Sequence, residues 1–348
     1  MSAPVNLPEM DGVISPDEVI ATAATIAALQ RPNGMIPWYV GGHCDPWNHV
    51  ETAMALSVAG RIEEAERAYG WLAAMQRPDG SWHNYYRDDQ VEDAKLDTNV
   101  CAYVAAGVWH HWLVTGDAAF AEALFPVVER ALDWVLALQT PRGEVIWARH
   151  VDGTPWSYAL LTGSSSICHS LRCGVALAAL VGQDRPDWEL AAVNLADVIR
   201  HDPRAFEPKH RWAMDWYYPV LAGVVTGAGG RGRLARDWDR FVLGGLGVRC
   251  VDNEPWVTAA ETAECALAHL AAGDIDTAHQ LLTWTRAHRQ SDGSYVTGIV
   301  YPRGVTFPDG ERSAYTAAAV ILAADALSGA SGASGLFLGE HLPAVVDD

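Results

Sequence analysis

Two glutamates sit where an ordinary helix has little use for them. The run Ala259-Ala260-Glu261-Thr262-Ala263-Glu264-Cys265-Ala266-Leu267 sets carboxylates among small apolar residues. A carboxylate there is costly unless it is paired or faces water. One reading is a hydrogen-bonded or ion-paired buried Glu. The other is a general acid whose pKa is raised by partial burial, with Glu261 the first candidate. Asp45, in His43-Cys44-Asp45-Pro46-Trp47-Asn48-His49, is a different kind of acid. Asp before Pro is a standard helix start, N-cap then N1. The same position suits a carboxylate kept ionised by the helix macrodipole, and so a general base. One protonated and one ionised carboxyl across a cleft is the equipment for acid–base hydrolysis. Asp97, Asp215 and Glu264 are reserve candidates for either role.

Around these acids lie groups that could hold a ligand: His43, Trp47, His49, Tyr85, Tyr86, Ser164, Ser165, Trp216, Tyr217 and Trp256. Fifteen tryptophans, many beside Gly, Pro, Asp and Tyr, offer flat faces that suit stacking ligands such as the C–H faces of sugar rings. Other chemistries fail their own tests. His43, Asp45 and His49 lack an ordered metal-ligand spacing such as H-E-x-x-H, so no metal is expected there. Ser164-Ser165-Ser166 is first of all a helix start, with no G-x-S-x-G elbow. Asp88-Asp89-Gln90-Val91-Glu92-Asp93 resembles a diphosphate–magnesium box but reads better as a solvated loop. Gly227, Gly229 and Gly232 match G-x-G-x-x-G but follow a helix rather than a strand.

The elements that must position these groups repeat. Gln76-Arg77-Pro78-Asp79-Gly80-Ser81-Trp82 closes one helical stretch, and Gln30 through Trp38, Gln139 through Trp147 and Gln290 through Tyr295 say nearly the same. A recurring helix end implies stacked copies of one unit. Amphipathic stretches at 16–30, 62–76, 118–139, 187–200, 233–244 and 274–290 alternate with nearly all-apolar ones at 46–59, 97–115, 165–181, 213–227, 256–272 and 313–328. A helix apolar all round is buried on all sides. The pattern predicts an all-α chain, an (α/α)6 toroid of six helical hairpins, with no convincing strand. One domain is expected over 1–328, with a surface tail over 329–348. Loops leading into the inner helices would gather at one rim and form a basin.

Composition narrows the partners. The formal net charge of −19 argues against nucleic acid and anionic membranes. The six cysteines form no C-x-x-C pair, no signal peptide is visible, and no apolar run approaches the roughly 20 residues that span a bilayer. A cytoplasmic protein is expected.

Two resemblances follow from these residues. The repeated Q-x-x-D-G-S-W phrases resemble the prenyltransferase and squalene-cyclase repeat family, which implies architecture only. The cyclase D-x-D-D is absent, and the rim offers few cations for a diphosphate. More specific is the similarity to (α/α)6 glycoside hydrolases. It is carried by Gly80-Ser81-Trp82-His83 to Asp97-Thr98-Asn99, by Trp112-Leu113-Val114-Thr115-Gly116-Asp117, by Trp188-Glu189-Leu190, by Ala213 to Pro219 and by Pro255 to Glu264. Within that fold these segments look like an actinobacterial family that includes hydrolases of methylmannose polysaccharide, an α-1,4-linked 3-O-methylmannan. The resemblance implies an endo-acting α-mannosidase without a cofactor, whose partner is an oligo- or polysaccharide. Asp45 and Glu261 would then act by inversion. The alternatives are an enzyme acting on an isoprenoid diphosphate and a carbohydrate-binding toroid without catalysis.

Overall fold

The computed structural model describes residues 6–88 and 90–345. Its helices are α1 (Pro16–Leu29), α2 (Pro46–Val58), α3 (Ile62–Met75), α4 (Thr98–Ala102), α5 (Val104–Thr115), α6 (Ala118–Leu136) and α7 (Leu161–Leu180). They continue as α8 (Pro186–His201), α9 (Ala213–Leu221), α10 (Gly227–Arg236), α11 (Trp238–Phe241), α12 (Ala259–Ala271), α13 (Ile275–Trp284) and α14 (Ala314–Ser328). The apolar members pack in sequence: α2 on α5, α5 on α7, α7 on α9, α9 on α12, α12 on α14, and α14 on α2. None of the described helices is long and apolar enough to cross a membrane.

The repeated phrase is a clamp between neighbouring amphipathic helices. Gln30 Nε2 donates to Gly34 O at 3.2 Å and to Glu64 O, in α3, at 2.8 Å. Gln76 does the same to Gly80 O and Val127 O, in α6, and Gln139 to Gly143 O and Ala191 O, in α8. Each Gly turns the chain with positive φ and lies flat on the next helix. A Cβ on Gly80 would stand 2.2 Å from Arg130 O. The last copy departs from the pattern, since Gln290 Nε2 donates to His288 O. Its glycine still packs on α1, where Thr22 Oγ1 donates to Gly293 O at 2.9 Å, joining the last repeat to the first. Gly80→Ala combines backbone strain with a collision against main chain, and should lower stability by roughly 3 kcal/mol. An unchanged denaturant midpoint would contradict this.

The expectation of an all-α chain needs correction. The chain is mostly helical but carries nine short strands among the described residues. β1 (Tyr85–Arg87) pairs with β2 (Gln90–Asp93), and β3 (Leu96–Asp97) with β4 (Ala148–Arg149). β5 (Val242–Leu243), β6 (Gly247–Arg249), β7 (Trp256–Thr258), β8 (Gly298–Val300) and β9 (Val305–Phe307) form an antiparallel meander in that order. Strands of two to four residues are too short to show alternation. The meander leads from β7 straight into α12, and Val248 N donates to Thr262 Oγ1 at 2.9 Å. It thereby sets the first turn of the helix that carries Glu261.

The fifth amphipathic helix also differs from its expected place at 233–244. Pro219 lies in α9 and Gly223 takes φ 69° just after it, so α9 ends early and the Gly-rich run beginning at Gly227 becomes α10. The C-terminal segment expected at the surface packs instead. Leu336 and Phe337 are buried, Phe337 stacks on His169, and Arg172 Nε donates to Pro343 O at 2.9 Å.

Candidate active site

Residues at the starts of α2, α4, α7 and α9 line one cleft of about 620 Å³. Three of its lining residues are carboxylates: Asp45, Asp97 and Asp215.

Asp45 caps α2, with Oδ1 accepting from Asn48 N at 2.9 Å. Its Oδ2 accepts from Trp38 Nε1 at 2.6 Å and from Asn48 Nδ2 at 2.7 Å. Burial raises its pKa, and those donors work against the rise. Capping and chemistry are compatible here, because Oδ1 keeps room for a second donor such as a water. Asp97 caps α4 through Asn99 N and Val100 N and lies 3.6 Å from Lys95 Nζ. Asp215 Oδ1 accepts from Thr162 Oγ1 at 2.7 Å. Burial raises both of these carboxyls too.

Glu261, in the first turn of α12, is only partly covered, and burial raises its pKa. It acts electrostatically on Tyr315, whose ring lies 5.0 Å from Trp38, the residue that donates to Asp45. Glu261 also acts electrostatically on Glu264, one member of an acidic pair with Glu51. Tyr217 donates its hydroxyl to Glu264, and Tyr103 donates to Glu51 Oε1 at 3.2 Å. Both glutamates are buried. Burial holds both above the ordinary range, and neighbouring charges push further: Asp45 on Glu51, and Glu51 and Glu261 on Glu264. The four acids Asp45, Glu51, Glu264 and Glu261 thus form one electrostatically linked series.

The remaining expected residues divide. Trp47 and Tyr85 line the cleft. His43 stacks on Tyr85 at 4.2 Å, with Nδ1 3.3 Å from Glu92. Trp256 stacks on Phe307 at 4.5 Å in the meander. Others serve packing. His49 uses both ring nitrogens on main chain, Ile36 N and Ala68 O, and burial lowers its pKa to about 4. Tyr86 is buried against Trp71, with its hydroxyl accepting from His83 N. Trp216 is buried on Phe241 and donates to Arg233 O, and Ser165 donates to Leu161 O. Ser164 is buried in α7. Among the described residues no cluster of His, Cys, Asp or Glu could hold a metal ion.

Four groups on the wall were missed by sequence reading. Lys95 Nζ lies over Trp147 at 4.2 Å, Trp147 stacks on Tyr158 at 5.4 Å, and Lys209 Nζ lies over Tyr158 at 6.0 Å. A signal existed: Lys95 and Lys209 are the only lysines in the chain. Glu51 was also legible, as the partner of Glu261 in the echo of Pro46-Trp47 to Glu51-Thr52-Ala53 by Pro255-Trp256 to Glu261-Thr262-Ala263.

No family model matches the chain. The chain is 51% identical over 337 residues to the MMP endo-(1,4)-3-O-methyl-alpha-D-mannosidase of Mycolicibacterium hassiacum, across 97% of this chain and 93% of that protein. Among solved structures, a wild-type glycosidase matches with TM-score 0.69 at 15% identity, over 94% of this chain and 98% of that one. The GH63 mannosylglycerate hydrolase from Thermus thermophilus in complex with glucose matches with TM-score 0.67 at 14% identity, over 88% and 99%. At such identities the two structures speak for the fold alone.

Proposed function

The chain belongs to the family of the Mycolicibacterium hassiacum endo-mannosidase and is a glycoside hydrolase; from that premise we propose that it cuts internal α-1,4 bonds of a 3-O-methylated mannan. Asp45 is the base that activates water, Glu261 is the acid that protonates the leaving oxygen, and the anomeric centre inverts. Inversion asks for carboxyls roughly 6.5–9.5 Å apart, which leaves room for a water between the base and the anomeric carbon, on the face opposite the leaving oxygen. We read the scaffold as an (α/α)6 toroid in one domain. We place its work in the cytoplasm, a reading supported by the buried thiols of Cys101, Cys168, Cys173 and Cys265 inside α4, α7 and α12.

The observation that carries the proposal is the cleft's mixed lining. Its carboxylates can accept sugar hydroxyls, while Trp47, Val100, Leu160 and Met214 offer apolar surface. An O-methyl group on each sugar enlarges the apolar area available for burial. The isoprenoid-diphosphate alternative finds little support, since Lys95 and Lys209 are the only cations of a lining that also holds three carboxylates.

Incubation with α-1,4 mannan oligosaccharides, methylated and bare, tests the proposal. Expected are shorter oligosaccharides from internal cleavage and faster turnover of the methylated series. Release of single sugars only from a chain end, or a preference for the bare series, would count against it.

A further inference from the structure

Lys95 borders two cavities. It lines the main cleft and also a second hollow of about 550 Å³, formed with Asp93, His150, Val151, Asp152 and Trp156. Asp97, at 3.6 Å, and the Trp147 face fix its ammonium from the cleft side.

The far wall of the hollow is a turn tied to itself. His150 N donates to Thr154 O at 2.9 Å, Gly153 N to His150 O at 3.0 Å, and Arg149 Nε to Gly153 O at 2.9 Å. Gly153 takes φ 95°, which a side chain would strain. Asp152 accepts from Thr154 N at 2.9 Å, which keeps its carboxyl below the usual range and so ionised at neutral pH. Trp156 is partly exposed, stacked on His150 at 5.4 Å and edge-on to Trp147 at 4.6 Å. Val151 is 55% exposed.

The hollow therefore offers an aromatic and an aliphatic surface, two carboxylate acceptors and an ammonium donor, on a preorganised turn. That combination suits a sugar unit with apolar faces and hydroxyl edges. Trp156 touches Trp147, a residue of the main cleft, so the two cavities are joined by side chains as well as by Lys95. Resting on the glycosidase reading above, we infer that the hollow is an outer subsite for the same saccharide chain, which passes over Lys95 as it leaves the main cleft. Its consequence is a preference for chains long enough to fill both cavities, which is what an enzyme cutting internal bonds needs.

The test is kcat/KM on methylated oligosaccharides of increasing length, for the wild type, Trp156→Ala and Val151→Asp. The wild type should gain efficiency once the chain reaches the hollow. Both variants should lose about tenfold on long substrates, mostly in KM, from the apolar contact removed. On the shortest cleaved substrate they should match the wild type. Trp156→Ala removes packing against Trp147, so Val151→Asp, on an exposed turn, covers the case in which the first variant folds badly. Equal losses at every length, no loss on long chains, or a wild type indifferent to length overturns the subsite. A wild type that cuts no length overturns the proposed methylmannan substrate, and this inference with it.

Discussion

Asp45→Asn and Glu261→Gln should each lower kcat on a methylated α-1,4 mannan by roughly 10³-fold, the scale of a lost general acid or base. For Asp45 the measurement separates two roles. As a helix cap alone, Asp45 could be replaced by Asn with little loss of rate. The structure adds a complication. Oδ2 receives two N–H donors, from Trp38 and Asn48, while Oδ1 receives the Asn48 main-chain N–H. An amide NH2 on either side meets a donor, so Asp45→Asn should also cost about 1–3 kcal/mol of stability. Rates must therefore be normalised to folded protein, read from a thermal melt at the assay temperature. Near-wild-type turnover in both variants would contradict the assignment and move attention to Asp97, Asp215 and Glu264.

Glu51→Gln should stabilise the protein at neutral and alkaline pH and leave it unchanged near pH 4. Burial raises the folded-state pKa of Glu51 and Glu264 above the ordinary 4.5. Below 4.5 both folded and unfolded chains hold these protons, and the pair carries no penalty. As pH rises past 4.5 the unfolded chain releases its protons while the folded one retains them, so folding is penalised increasingly until the folded-state pKa values are passed. Gln keeps an oxygen for the Tyr103 hydroxyl and has no proton to lose. The difference in Tm between variant and wild type should accordingly grow with pH from 5 to 9. A difference independent of pH, or a variant destabilised at pH 8, would contradict the account of this pair.

How much of this was legible depended on the length of the signal. The inner helices could be read because runs such as Val104–Thr115 and Ala314–Ser328 lack a polar face, and only burial permits that. The repeated Gln–Gly phrase announced a repeat, but its clamp between neighbouring helices needed three dimensions. Its aromatic end also diverges: Trp38 and Trp147 line the cleft, whereas Trp82 is buried and donates to Leu72 O. The meander was invisible because two or three residues cannot alternate convincingly. Residue type alone could not separate ligand-facing aromatics from packed ones, so Tyr85 and Tyr86, adjacent in sequence, go to opposite sides of β1, one to the cleft and one to the core. The lysines were passed over because a lone Lys is usually solvated. Their rarity in this chain was the usable clue.

The most direct test of the central claim is proton NMR of a methylated α-1,4 mannan oligosaccharide during its first minutes with the wild-type enzyme. The account predicts internal cleavage with the new reducing end appearing first as the β-anomer, followed by slow mutarotation. An α-anomer appearing first would contradict inversion and the Asp45-as-base assignment, and no cleavage at all would contradict the proposed substrate.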